Sequence, residues 1–240
     1  MKPVLRLDGV SKAFGAIRVA NELCLSLAPD EALGVLGPNG AGKSSMFNLV
    51  TGDLRPDSGR VFLDGRDVTG EDPAIRCRLG IARSYQVPKP FGGMTVFENL
   101  LVGATFGADL ADRAAIDHCL QVLERTGLIG RMNQLAGTLT LLDRKRLELA
   151  KALATRPRVL LLDEIAGGLT DQEAKALVAT IREIRAQGVA IIWIEHVVHA
   201  LLAVVDRLIV INFGSLLAEG EPDAVMASDD VRQVYMGIDA

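Results

Sequence analysis

The chain has 240 residues, 49% of them hydrophobic, and a formal net charge of −4 at pH 7. This length supports a large core in one or two domains, and an acidic balance without a long basic run does not support a nucleic-acid partner. The N-terminus lacks the apolar stretch of a signal peptide and the apolar runs are shorter than a membrane span, so a cytoplasmic chain is predicted.

Short apolar and polar alternation in the first quarter of the chain predicts antiparallel strands at residues 4–10, 17–20 and 23–27. A continuous apolar run at residues 33–36 predicts a buried strand. A further strand is predicted at residues 60–63, because turn-forming residues lie on both sides of it.

The strand at residues 33–36 leads into a glycine-rich loop with the complete pattern G-x-x-x-x-G-K-[ST], and a helix is predicted after it at residues 44–50. Strand, loop and helix are the context that a phosphate-binding loop needs. The glycines let backbone N–H groups close on phosphate oxygens, and the helix N-terminus adds partial positive charge. Lys43 can reach the β- and γ-phosphates, and the Ser44 hydroxyl can ligate Mg²⁺. The predicted nucleotide-binding residues of this loop are Gly37, Pro38, Asn39, Gly40, Ala41, Gly42, Lys43, Ser44 and Ser45.

Helix signals dominate from about residue 94 to residue 137. Thr95 and Glu98 form a capping-box pattern before a predicted helix at residues 96–102. A second helix is predicted at residues 112–125, because its apolar residues recur at helical spacing and Gly127 follows it.

Alternation of helices and strands then returns, which predicts an α/β P-loop core with an antiparallel β subdomain and an inserted helical subdomain. We expect residues 1–93 and 155–215 to form the core and β layer, residues 94–154 the helical subdomain, and residues 216–240 a C-terminal extension. Strands are predicted at residues 159–162, 189–194 and 208–211, and helices at residues 143–154, 170–187, 197–205 and, as two short pieces, from residue 222.

Two adjacent acids follow the apolar strand at residues 159–162. That strand delivers Asp163 and Glu164 to the same sheet edge as the glycine loop, which is the Walker B arrangement. Asp163 would hold Mg²⁺ through water, and Glu164 would act as a general base on the attacking water.

Two further polar residues are candidates for the same site. His196 follows the strand at residues 189–194, so a third strand end reaches this edge, and we interpret His196 as a sensor of the γ-phosphate. Gln86 lies at a hinge between the β layer and the helical segment, where it could contact the γ-phosphate and the metal; the alternative is a solvated loop amide. The predicted catalytic residues are Glu164, His196 and Gln86, and the predicted metal ligands are Ser44, Gln86 and Asp163.

The order of these motifs resembles that of ATP-binding cassette ATPases, and the resemblance covers nearly the whole chain. It also includes a helix at residues 144–153 that is similar to the helix after the family's signature motif. Phe14 matches the aromatic position that stacks on adenine in this family. The resemblance implies an ABC-type nucleotide-binding domain that uses ATP and Mg²⁺.

Within this family the chain looks most like the ATPase subunits of branched-chain amino-acid importers, on the evidence of residues 80–86, 94–99 and 146–148. The resemblance implies a nucleotide-sandwich dimer with a second ABC ATPase subunit, either a homodimer or a heterodimer. It also implies two transmembrane permease subunits, an indirect periplasmic solute-binding protein, and a place on the cytoplasmic face of the inner membrane.

Three segments of the chain depart from the family pattern. The signature, typically LSGGQ, aligns with residues 139–143, where both glycines are leucine; leucine adds bulk and restricts φ. Ile165 stands where proline usually follows the Walker B glutamate, and residues 167–170 lack the aspartate of the family's Ser-Ala-Leu-Asp loop. The degenerate signature, which would contact the ATP of the opposite subunit, consists of Leu139, Thr140, Leu141, Leu142 and Asp143.

These departures lie on the dimer-facing side of the site. They favour an asymmetric complex in which this chain's own P-loop hydrolyses ATP with a partner's intact signature, while the reciprocal site is slow.

The motifs also fit other functions. An ATPase of a lipopolysaccharide-type exporter has a similar pattern, particularly near residues 234–237. A non-transport cassette ATPase of DNA repair or translation usually needs a long coiled-coil insertion or two cassettes, and neither is evident here. A scaffold that binds ATP without hydrolysing it fits the altered signature, but not the intact Lys43, Asp163, Glu164 and His196.

Overall fold

The computed structural model describes residues 2–236, and its largest element is a six-stranded sheet. Five neighbouring strands of this sheet, including the edge strand at residues 81–84, run parallel to one another. The strand at the other edge is antiparallel to its neighbour. In spatial order the strands are β10 (Ser215–Gly220), β9 (Arg207–Asn212), β3 (Ala32–Leu36), β8 (Ala190–Ile194), β7 (Val159–Asp163) and β6 (Ile81–Ser84).

A second, four-stranded antiparallel sheet contains, in spatial order, β2 (Ile17–Leu27), β1 (Leu5–Phe14), β4 (Ser58–Leu63) and β5 (Arg66–Asp67). The prediction of two separate strands at residues 17–20 and 23–27 was wrong, because β2 is continuous. Glu22, with φ 48°, lies where the register of β1 and β2 shifts, and such a bulge interrupts the apolar alternation without ending the strand.

The helices follow the predicted order, with some differences at their ends. The helix at residues 141–154 begins two residues earlier than predicted, and the helix at residues 198–202 is shorter than predicted. The predicted capping box of Thr95 with Glu98 is confirmed, and Thr170 with Glu173 forms a second one. The helices are α1 (Lys43–Thr51), α2 (Pro73–Arg78), α3 (Val96–Val102), α4 (Asp112–Arg125), α5 (Leu141–Ala154), α6 (Asp171–Arg185), α7 (Val198–Leu202), α8 (Pro222–Ala227) and α9 (Asp229–Met236), and a π-helical segment, Gly103–Gly107, follows α3.

The large sheet is buried on both faces, which explains the continuous apolar runs of its strands. In β7, Leu160 and Leu162 belong to a core shared with the helical segment. Val159 and Leu161 face the other way, into a core shared with α1 and the antiparallel sheet. The sheet therefore separates two cores, and its edge carries the loops between them.

The sequence did not predict α2, β5, β6 or β10. The last of these means that the expected C-terminal extension of residues 216–240 begins inside the main sheet. Residues 237–240 of that extension, including Gly237 of the exporter-like stretch, lie outside the described residues, as does Met1. Among residues 2–236, no helix combines the length and apolar character needed to cross a bilayer.

Candidate nucleotide-binding and catalytic site

The candidate site lies at one edge of the large sheet. Because β3, β7 and β8 are parallel neighbours, their carboxyl ends meet at this edge. The glycine loop follows β3, Asp163 and Glu164 stand at the end of β7, and His196 follows β8. Ligands of open α/β sheets bind at this position.

The glycine loop opens directly into α1, whose N-cap is Gly42 in the left-handed region at φ 104°. A Cβ at this position would lie 2.3 Å from the carbonyl oxygen of Val19, so no other residue fits without displacing β2. Within the part of the chain that the structure describes, no side chain caps α1 and no acid stands in its first turn. The first N–H groups of α1 are thus available to an anion.

Lys43 is the cation of this loop. Its side chain is buried, and Nζ donates hydrogen bonds to the carbonyl oxygens of Gly37, at 2.5 Å, and Pro38, at 2.9 Å. Burial lowers the pKa of Lys43, while the charges of Glu164 and Asp163 oppose that shift. Lys43 is therefore held at the mouth of the loop, near the start of α1 and two carboxylates, a position that fits a polyphosphate.

Glu164 is the point at which three loops converge. His196 Nε2 lies 2.9 Å from Oε1 of Glu164, and the side-chain amide of Gln86 donates a hydrogen bond to Oε2. The backbone of Glu164 is left-handed at φ 47°, a costly conformation for a side chain of this size that tends to occur at functional sites. The structure thus brings together all three residues that the sequence predicted to be catalytic, and holds the carboxylate from both sides.

Asp163 is held by a residue that the sequence analysis missed. The Arg83 side chain, only 7% exposed, donates from one terminal nitrogen to Asp163 Oδ2 at 2.5 Å and from the other to the side-chain oxygen of Asn48 at 2.6 Å. Phe47 and Tyr85 place their rings 5.3 and 4.9 Å from its guanidinium carbon. A lone charged residue in the short, mostly buried segment Ile81–Ser84 was the available signal.

The oxygen ligands near this edge fit Mg²⁺. The Ser44 hydroxyl is exposed on the first turn of α1, Asp163 supplies a carboxylate, and Gln86 has an amide oxygen in addition to the nitrogen that contacts Glu164. Mg²⁺ prefers such oxygen ligands and usually takes one or two carboxylates together with water and substrate phosphates. These three residues would hold it beside a phosphate chain bound to the loop.

A second missed residue, Glu195, connects two of the catalytic loops. Its carboxylate is 1% exposed and accepts hydrogen bonds from the N–H groups of Ala166, at 2.9 Å, and His196, at 2.9 Å. Lys145 of α5 also reaches this region, donating to the carbonyl oxygen of Glu164 at 3.3 Å. Burial lowers the pKa of Lys145, against the charges of Glu195 and Glu164. Buried charges at strand ends and inside a helix were the signal for both residues.

The degenerate signature lies at the start of α5. Thr140 is the N-cap residue, and its side chain accepts a hydrogen bond from the N–H of Asp143. The carboxylate of Asp143 lies 3.3 Å from Arg131 and 3.6 Å from Arg146. Leu141 is half exposed beside this cap.

A cavity of 580 Å³ lies between β6 and the helical segment. Its rim carries Tyr85 and Phe91, both exposed, and Arg83 lines it as well. Its floor contains Glu148, a buried carboxylate that accepts a hydrogen bond from Lys151 at 2.9 Å. Because Arg83 contacts both this cavity and Asp163, the cavity is joined directly to the carboxylate at the sheet edge.

Comparison with known proteins gives consistent matches. Residues 20–167 match the family model described as ABC transporter. The high-affinity branched-chain amino acid transport ATP-binding protein BraF of Pseudomonas aeruginosa is 34% identical, over 98% of this chain and 98% of its own length. The protein of the same description named LivG in Escherichia coli K12 is 35% identical with the same coverage. A solved ATP-binding cassette of an ABC transporter in its ADP conformation superimposes with a TM-score of 0.90 at 30% identity, over 99% of this chain and all of that one.

Proposed function

The chain belongs to the ABC transporter family as one of its ATPases, and we propose that it is the energy-coupling subunit of an importer for branched-chain or related amino acids. ATP hydrolysis, the first part of this proposal, is supported by one observation: Gln86 and His196 converge on Glu164, next to the buried Lys43. The substrate class rests on the two relatives, whose names specify branched-chain amino acid transport and which match 98% of this chain.

Each residue has a role that follows from its contacts. Lys43 and the N–H groups of α1 bind the phosphates of ATP. Glu164 accepts a proton from the attacking water, while His196 and Gln86 keep its carboxylate oriented toward that water. Asp163, Gln86 and the Ser44 hydroxyl would hold Mg²⁺, which would neutralise phosphate charge when bound.

The proposed partners are two permease subunits and a second cassette, with a periplasmic binding protein acting through the permeases. The cavity between β6 and residues 94–154 supports permease docking, because its exposed aromatic residues and partly buried ion pair suit a short amphipathic helix. We place residues 94–154 as a subdomain that moves against the core, so that closure on ATP at Gln86 is transmitted to this cavity. Such a complex would place the chain on the cytoplasmic face of the inner membrane.

The two nucleotide sites of that complex are proposed to be unequal. The start of α5 is closed by Thr140, and its first turn carries the acid Asp143, so it offers little to the γ-phosphate of an opposite ATP. This chain's own P-loop would then act with the signature of a different partner cassette.

The assembly is tested by capture from native membranes. Tagged Glu164→Gln protein with MgATP should trap the closed complex, and mass spectrometry should find two permeases and a second cassette. Tagged Lys43→Ala protein is the matched control, because it retains the cavity but loses phosphate binding. Recovery of this chain alone, or of a lipid-export permease, would overturn the importer assignment, while the ATPase assignment would stand.

The substrate class is tested by uptake. Cells lacking this chain should lose uptake of labelled leucine, isoleucine or valine and regain it with the wild-type chain but not with Glu164→Gln. Unchanged uptake of all three in the deletion strain would contradict branched-chain amino acids as the substrate.

A further inference from the structure

The turn between β9 and β10 contains an aromatic residue that is exposed to solvent and has an unfavourable backbone conformation. Phe213 is 82% exposed and has φ 46°, and the following Gly214 has φ 75°. A two-residue hairpin turn with two positive φ angles favours asparagine, aspartate or glycine, and a bulky residue at its first position is strained. Phe213 therefore has neither burial nor backbone preference to explain it, and strain of this kind points to a function.

This turn is fixed against the phosphate-binding loop. The N–H of Gly214 donates to the carbonyl oxygen of Ala41 at 2.8 Å, and the carbonyl of Gly214 accepts from the N–H of Asn21 at 2.8 Å. The Cα of Gly214 would lie 3.4 Å from a Cβ placed on Gly42. Phe213 is thus held one residue away from backbone that contacts the loop and β2.

A second exposed ring comes from the other hairpin that reaches this loop. Phe14, at the end of β1, is 56% exposed, and its strand partner in β2 is Ile17. Two residues further along β2, the carbonyl of Val19 abuts Gly42. Phe14 and Phe213 therefore project from two hairpins that both contact the loop near Gly42, at the mouth of the site.

The family resemblance implies that Phe14 stacks on the base, and we propose that Phe213 is a second base-binding residue, which forms the other aromatic wall of a slot for the purine base of the bound nucleotide. This proposal rests on the proposed ATP site. The charged groups, namely Lys43, Asp163 and the N-terminus of α1, serve the phosphate end of the nucleotide. The exposed rings serve the flat apolar end, since aromatic side chains bind bases by stacking.

The test separates binding of the base from binding of the phosphates. Calorimetric titration of the full chain uses MgADP, which contains a base, and magnesium pyrophosphate, which does not. Phe213→Asn and Phe213→Ala should weaken MgADP about tenfold, a loss typical of removing one stacking partner, and should leave pyrophosphate within about twofold. Phe213→Trp should restore the affinity for MgADP. Phe106→Ala is the matched control, because Phe106 is also exposed but lies in the π-helical segment, and it should change neither affinity.

The Phe213→Asn variant distinguishes a loss of base binding from misfolding, because its melting temperature can be compared with that of the wild type. Asparagine suits this turn better than phenylalanine does, so Phe213→Asn should melt at or above the temperature of the wild type. Unchanged MgADP affinity in both variants would overturn the base slot, and so would an equal loss of MgADP and pyrophosphate, because that loss would act through the loop. A different outcome would overturn the ATP site itself. In that outcome the wild-type chain does not bind pyrophosphate, and Lys43→Ala does not change the affinity for MgADP.

Discussion

The two helix N-termini that would face nucleotide in a cassette dimer are built in opposite ways. In the described residues, α1 begins at Gly42 without a side-chain cap and without an acid in its first turn. In contrast, α5 begins at Thr140, whose side chain accepts a hydrogen bond from its own first turn, where Asp143 also lies. The N-terminus of α1 is open to an anion, whereas at α5 the chain itself supplies one acceptor, the Thr140 side chain, to the N–H of Asp143.

The surrounding charges extend this difference. Around α1, the ammonium of Lys43 is buried next to the carboxylates Glu164 and Asp163, an arrangement that costs desolvation and would gain from a bound phosphate and metal. Around α5, the carboxylate of Asp143 is already compensated by Arg131 and Arg146. The described part of the chain therefore combines an uncapped helix N-terminus beside a buried amino group with a capped helix N-terminus whose acid is paired within the chain.

The largest expected effect is a loss of ATP turnover that differs between the two nucleotide sites of the assembled transporter. Glu164→Gln in this chain removes the proposed general base and should reduce turnover at least about 100-fold, with ATP binding retained. Steady-state hydrolysis and nucleotide binding by the purified complex measure it. The comparison fails if the equivalent change in the partner cassette is the more damaging one.

A smaller effect is expected from the residue that holds Asp163. Arg83→Lys keeps the charge but cannot contact Asp163 and Asn48 with one planar fork. The Mg²⁺ concentration for half-maximal hydrolysis should rise roughly tenfold, as is typical when the partner of a metal ligand is altered. Arg158→Lys is the control, because Arg158 forms an exposed pair with Asp64. Equal Mg²⁺ dependence in both variants would show that Arg83 does not position Asp163.

The cap of α5 should matter for stability and little for this chain's own catalysis. Thr140→Ala removes the N-cap hydrogen bond and should cost about 1 kcal/mol of unfolding free energy. Denaturant titration measures this cost, and Thr95→Ala provides a second N-cap of the same type. A strong loss of turnover in Thr140→Ala, without such a loss in Thr95→Ala, would contradict this prediction. It would show that the start of α5 takes part in the nucleotide site of the opposite subunit.

The smallest expected effect is a change in the pH dependence of stability, caused by His118 in α4. Burial lowers the pKa of His118 below 6.5, and nearby Arg156 adds to this shift, while the backbone of residues 153 and 154 at the end of α5 opposes it. The unfolded chain then binds a proton before the folded chain does, so stability is intact above pH 6.5 and falls as the pH decreases below it. Melting temperatures at pH 7.5 and 5.5 should differ less in His118→Gln than in the wild type. An identical difference would assign the pH dependence to other groups.

The sequence by itself determined the fold class, the order of most elements and several of the residues that meet at the site. Local signals sufficed where the physics is local: the glycine loop needs its own glycines, capping boxes act over three residues, and buried parallel strands are continuously apolar. The residues expected at one sheet edge followed from the same logic, because parallel strands present their ends together.

Tertiary structure decided what depends on partners distant in the chain. Arg83 and Asp163 are 80 residues apart, and only the pairing of β6 with β7 brings them together. Whether β2 is one strand or two depended on its register with β1, because a bulge is tolerated only when the neighbouring strand accommodates it. The place of Phe213 beside the loop likewise required β9 to lie next to β3. Pattern specifies which residues can form a site, and packing specifies which of them meet.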